Sequence, residues 1–233
     1  MVLLISVVSA ISSLWMPVST SETNAQQGET RDRARRALDL PAGFRGQDPE
    51  EEDESESIVF YGQEFEADGF FWCLDTSGSM AEGGKLEILK QEVTQAINSL
   101  SRQAEFGLVS FNSSTQVWSQ QPVAATADRK AAGSAWVQSL VAAGWTCLAP
   151  AAVQTLQISN QCRRASKTVL VVGDGVPICN GVDTRDACLL AVATANWQRT
   201  PVNTLYVAND NDGQAFMRAL AEQNGGQFVH VGG

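Results

Sequence analysis

The chain has 233 residues, 44% of them hydrophobic, and a formal net charge of −10. That length accommodates one core of ordinary size plus a tail, and the apolar content is that of a mostly globular chain. The acidic balance argues against a nucleic-acid partner held through phosphate contacts.

Met1–Met16 carries no charge and is dominated by Val, Leu, Ile and small residues. Its length and position suit the apolar segment of a secretory signal, and Ala25, with Thr23 two residues earlier, is one candidate cleavage point. No Lys or Arg precedes the run. The rival is an uncleaved membrane anchor, but a span ordinarily needs about 18 apolar residues. Residues 1–25 are therefore expected to be a signal peptide, and the protein to be secreted or held in the cell envelope, with the uncleaved segment as the alternative tether. Residues 26–57 read as a charged linker. Arg31, Arg33, Arg35 and Arg36 form a basic patch, and Asp48 to Glu56 an acidic run. Such a stretch buries too little apolar surface to offset its ordering entropy. A short helix around Arg31–Leu40 is the one element it could hold.

The folded domain is expected over residues 58–233. Phe70–Leu74 is an apolar run that ends in Asp75, Ser77 and Ser79, the pattern of a strand buried on both faces. Lys85–Leu100 carries Leu86, Leu89, Val93, Ala96, Ile97 and Leu100 at helical spacing. Phe106–Phe111 is a second strand, Asn112–Ser114 a turn, and Thr115–Trp118 a short strand folding back as a hairpin. Asp128–Val141 follows as a helix with Ala132, Ala135, Trp136 and Leu140 inward. Gly144-Trp145-Thr146 breaks the chain, and Leu148–Ile158 is helical with Pro150 in its first turn. Lys167–Val172 is a β-branched buried strand running into Gly173-Asp174-Gly175. A helix over Thr184–Gln198 has Asp183 as its candidate N-cap. Strand Val202–Val207, helix Gly213–Gln223, the stop at Gly225-Gly226 and strand Phe228–Val231 complete the chain. The alternation predicts an α/β fold: doubly wound, with a mainly parallel central sheet, one short antiparallel edge strand and helices on both faces.

Five cysteines stand at 73, 147, 162, 179 and 188, with no Cys-x-x-Cys pair, so a thiolate zinc site is not expected. Cys179 and Cys188 flank a Gly-containing loop and could bridge it in an oxidising compartment. Cys73 lies in a buried strand and suits a small apolar filler. Cys147 and Cys162, at opposite ends of one helix about 20 Å apart, should not bridge each other.

Three distant loops should meet at the carboxyl edge of this sheet, where open α/β sheets place their ligands. One brings Asp75, Ser77 and Ser79, another Thr146, the third Asp174. Two carboxylates and three hydroxyls are hard oxygen donors that suit Mg²⁺ or Mn²⁺ with some waters retained. Their low total charge leaves the ion electrophilic and able to accept a carboxylate from another molecule. Asp75, Thr146 and Asp174 must then face one point, with none of them sealed by an internal Lys or Arg.

In these residues the chain resembles the von Willebrand factor type A domains, with their Rossmann-like fold. Asp75-Thr76-Ser77-Gly78-Ser79 matches the family's metal-ion-dependent adhesion site, Thr146 its loop threonine and Asp174 its second acidic residue. Phe106–Phe111 resembles the family's second strand, and Leu220–Phe228 its closing helix and strand. The resemblance covers about residues 58–233. It implies that Asp75, Ser77, Ser79, Thr146 and Asp174 bind the metal, directly or through water, that a protein partner supplies an acidic residue as the last ligand, and that the domain catalyses nothing. Two features depart from the family: Trp145, where Gly is common, and the segment between Cys179 and Cys188.

The rival class is an enzyme. A haloacid-dehalogenase-like phosphatase also places Asp at the end of its first strand, but it needs a second Asp two residues on as acid/base, and Ser77 stands there. A serine hydrolase lacks Gly-x-Ser-x-Gly, and His230 suits a strand surface. A metal-free structural envelope domain is the third reading. The folded domain is not expected to insert into a membrane or to bind nucleic acid.

Overall fold

The apolar run around Phe70 becomes β3 (Gly69–Asp75), every residue of which is buried. The computed structural model describes residues 55–231. The signal peptide (1–25), the linker up to residue 54 and the helix expected around Arg31–Leu40 lie outside the described residues. β3 runs parallel to β4 (Glu105–Phe111) on one side and to β7 (Lys167–Gly173) on the other. Beyond β7 lie β10 (Val202–Tyr206) and then β11 (Phe228–His230), again parallel. Beyond β4 the chain turns back as β5 (Thr115–Val117), and β6 (Val123–Ala124) also pairs antiparallel with β4. One antiparallel edge strand was expected and two are present.

Among the described residues five α-helices cover the sheet: α1 (Lys85–Ser99), α2 (Ala127–Gln138), α3 (Leu148–Ser159), α4 (Arg185–Ala195) and α5 (Asn211–Gln223). Strand residues alternate in direction, so β3 divides its side chains between two cores. Phe70, Trp72 and Leu74 pack with Leu89, Val93 and Ile97 of α1 and with Val137 of α2. Phe71 and Cys73 face the other way, against Ala152 and Leu156 of α3, Val192 of α4 and Phe216 and Leu220 of α5. Burying an apolar side chain of this size contributes roughly 1.5–3 kcal/mol, which is why the strand with two buried faces sits at the centre.

α1 buries five of the six apolar positions expected of it, and the sixth, Leu100, is buried just past its end. The face expected of α2 holds in part: Trp136 packs half-buried against the core and Leu140 is buried just past the helix, whereas Ala132 and Ala135 are exposed and Gly133 and Val137 are buried in their place. A methyl group at Gly133 would lie 3.0 Å from the Phe106 ring, so the helix docks through its glycine. The N-cap expected at Asp183 falls at Thr184, and Asp183 Oδ1 accepts from the Arg185 N–H at 3.0 Å.

Before the sheet, β1 (Ser57–Phe60) and β2 (Gln63–Glu66) form an antiparallel hairpin not foreseen from sequence. Tyr61 and Gly62 both take positive φ, the signature of a two-residue primed turn. The hairpin sends Ile58, Phe60 and Phe65 into the core. Among the described residues no helix is long and apolar enough to cross a membrane.

Candidate functional site

β3 delivers Asp75 to the carboxyl edge, and hydrogen bonds hold the loop that follows. The Thr76 N–H and hydroxyl both donate to the Phe111 carbonyl, at 2.7 and 2.9 Å. Asp75 Oδ1 accepts the Ser77 N–H at 2.7 Å. Ser77 Oγ lies 3.1 Å from Ser79 Oγ, which donates to Asp174 Oδ1 at 2.7 Å. Asp174 is the first residue after β7. Four of the five residues singled out from sequence thus form one continuous chain of contacts, whose Ser79–Asp174 link spans 95 positions.

Thr146 reaches the same edge through its backbone. The Gly78 N–H donates to the Gly144 carbonyl at 3.0 Å, and the Ala143 N–H to the Thr76 carbonyl at 2.9 Å. The Thr146 N–H donates to the Ile178 carbonyl at 2.9 Å. Its own loop is therefore tied to the Asp75 loop and to the segment after Asp174. Thr146 is half-buried, and its hydroxyl has no hydrogen bond to the other four.

Cys147, beside Thr146, is disulfide-bonded to Cys179. This corrects the expected Cys179–Cys188 bridge. Cys188 points inward from α4 and is buried in the second core, where burial pushes its thiol up to about 12. Cys179 lies on β8 (Ile178–Cys179), which pairs with β9 (Val182–Asp183) in a hairpin beside the Thr146 loop. Cys73 is a buried free thiol and Cys162 a half-buried one. His230 is exposed, with Nε2 2.7 Å from the Ala208 carbonyl.

The two carboxylates differ in environment. Asp75 is 1% exposed, and its Oδ2 has no hydrogen-bond partner. Burial pushes its pKa up to about 7; the Ser77 hydrogen bonds oppose the shift and the Asp174 charge adds to it. Asp174 has both oxygens engaged, Oδ1 by Ser79 and Oδ2 by Lys85 Nζ at 2.5 Å. The Asp174 side chain is 1% exposed and that of Lys85 20%.

Sequence reasoning missed Lys85, and its ion pair with Asp174 breaks the expectation that no Lys or Arg would seal that carboxylate. One signal was available: Lys85 opens α1, and a cation there opposes the helix dipole unless an anion compensates. Gly83 and Gly84 precede it with φ of +63° and +73°. Neither would meet any atom with a Cβ, so both are used for backbone conformation. They turn the chain from the serine loop into α1 with Lys85 facing Asp174.

The set is chemically suited to a hard divalent cation. All its side-chain donors are oxygens, and one buried carboxylate oxygen lacks a partner, a costly state in a folded interior. Among the described residues no three His, Cys, Asp or Glu side chains cluster as a metal site. Two carboxylates with hydroxyls are therefore the donors available. Trp145 on its loop and Ile178 and Val182 on the β8–β9 hairpin are exposed apolar side chains beside the site.

Residues 70–176 match the family model of the von Willebrand factor type A domain. No curated relative matches the chain. A von Willebrand factor type A protein from Catenulispora acidiphila aligns with TM-score 0.62 and 20% identity, over 70% of this chain and 38% of that one. The vWF domain of the type V pili tip protein Mfa5 from Porphyromonas gingivalis aligns with TM-score 0.59 and 8% identity, over 76% of this chain and 91% of that one. For the pilus adhesin SpaC from Lactobacillus rhamnosus GG the TM-score is 0.58 and the identity 16%, over 69% of this chain and 28% of that one. This chain thus spans well under half of the Catenulispora and Lactobacillus proteins it resembles. At such identities the likeness is one of fold.

Proposed function

Starting from a chain that carries a von Willebrand factor type A domain, we propose a divalent-metal-dependent protein-binding module. Asp75, Ser77, Ser79, Thr146 and Asp174 would hold Mg²⁺ or Mn²⁺, directly or through water. The ion would supply a Lewis-acidic position for a carboxylate on a protein partner. The observation that carries this reading is the unpartnered Asp75 Oδ2, buried beside a chain of oxygen donors that ends on a second carboxylate. The pilus adhesin and pili tip protein named above add support, since both use this fold. By the same likeness we place the protein outside the cytoplasm, secreted or in the cell envelope. We assign no catalysis, because Ser77 stands where phosphatase chemistry needs an acid/base carboxylate.

A second reading, a structural domain that needs no metal, is favoured by one contact. Lys85 already neutralises Asp174, which removes part of the reason for a cation. Thermal melting separates the two. With the metal reading, Mg²⁺ or Mn²⁺ raises the melting temperature over that in chelator, and Asp75→Ala abolishes the increment. Identical melting with and without metal in the unmodified protein would leave only the structural reading.

A further inference from the structure

We infer that Lys85 is a tethered counter-ion of Asp174 that weakens the site's hold on a divalent cation while keeping the domain folded in its absence. The inference rests on the metal reading above. The Asp174 carboxylate is divided between two partners, Oδ1 turned to the serine loop and Oδ2 to Lys85. Lys85 therefore does two things at once: it orients the carboxylate, and it cancels one of the two negative charges that Asp75 and Asp174 carry when ionised. The donor set is left with a net charge of about −1 for a divalent ion. A metal bound there keeps more of its positive charge, which favours the carboxylate of a partner over tight retention of the metal itself.

The two ends of the ion pair are not equivalent. Asp174 is sealed at the end of β7, and an unpaired charge there is costly. Lys85 sits at the rim and lines an open cleft of about 390 Å³ with Tyr61, Ile88, Val207 and Asn209. Its ammonium sits at the wrong end of α1 for the helix dipole, so the helix does not account for it. Asp75 Oδ2 is left without a partner, so Lys85 meets one of the two carboxylates and leaves the other for the cation. Lys85 is a positioning residue.

The test is Mn²⁺ titration by calorimetry of the full chain, with thermal melting in chelator, for the unmodified protein, Lys85→Met, Lys85→Gln, Lys85→Arg and Asp75→Ala. Removing the ammonium is expected to tighten Mn²⁺ binding about ten-fold, and to lower the melting temperature in chelator. Lys85→Arg keeps the charge and should stay near the unmodified affinity. Lys85→Gln keeps a donor for Asp174 Oδ2, and serves if the Met variant does not fold. A merely structural lysine would leave metal affinity unchanged or weaken it on removal, and either result overturns the inference. If no form binds Mn²⁺, and all melt as Asp75→Ala does with and without it, the metal reading fails and the inference with it.

Discussion

Cys147 and Cys179, 32 positions apart, join the loop that carries Thr146 to the segment that follows Asp174. The bond closes on a junction already made by the Thr146 N–H and the Ile178 carbonyl. Replacing both cysteines by serine should cost about 3–4 kcal/mol in the chain-entropy account of a loop this long. The same change should reduce any metal-induced rise in melting temperature, since the Thr146 loop loses its covalent tie. Urea denaturation with and without reductant, and melting with and without Mg²⁺, measure both effects.

Asp75 sets a pH dependence that can be read in chelator. Its pKa stands at about 7 in the fold because of burial, against an ordinary carboxylate value of 3.8. Between those pH values the native chain holds a proton that the unfolded chain releases. Asp75 thus contributes its full stabilisation below the lower value, and loses it as pH rises through the upper one. The slope approaches roughly 1.4 kcal/mol per pH unit within the window. Urea midpoints at pH 5 and pH 7.5 should differ in this direction, and Asp75→Asn should remove that component.

Asp210 caps α5, with Oδ1 accepting the Gly213 N–H at 2.7 Å and Oδ2 accepting the Tyr206 hydroxyl. Asp210→Ala should lose about 1–2 kcal/mol for the cap, and more from the stranded Tyr206 hydroxyl. Asp210→Asn retains an acceptor and should lose less. A shift of the urea midpoint at unchanged slope is the expected signature.

Gly226 and Gly225 are adjacent glycines with opposite reasons for being glycine. A Cβ on Gly226 would overlap the Val202 carbonyl and lie 2.8 Å from Asn203 N, all backbone at the start of β10. Gly225 has open space but a φ of +65°. Gly225→Ala should therefore cost on the order of 1 kcal/mol through backbone strain alone. Gly226→Ala should cost at least about 3 kcal/mol or prevent folding, because backbone cannot move aside as a side-chain tip can. Soluble yield and melting temperature of the pair compare the two.

Much of the fold was legible because its signals are local. The run Phe70–Leu74 announces a strand buried on both faces, and six apolar positions in Lys85–Leu100 announce the face of α1, all of them buried in the structure. The hairpin at Ser57–Glu66 was hidden because it abuts the acidic tract and its strands are four residues each. The face of α2 is only partly legible because the helix docks through Gly133, and a hydrophobic pattern gives no weight to a residue without a side chain. The disulfide was mispaired because sequence proximity favours Cys188, whereas α4 turns that residue into the core.

The sequence by itself determined the order of the parallel strands and the α-helices from β3 onward, the centrality of β3 and the identity of the oxygen-bearing loops, since each follows from residues a few positions apart. Only the tertiary structure decided that Lys85 meets Asp174 across 89 positions and that Cys147 meets Cys179. Those partners depend on where two parallel crossovers return the chain and on which way a helix is rolled. Both are outcomes of packing the whole core, and no local pattern of residues encodes them.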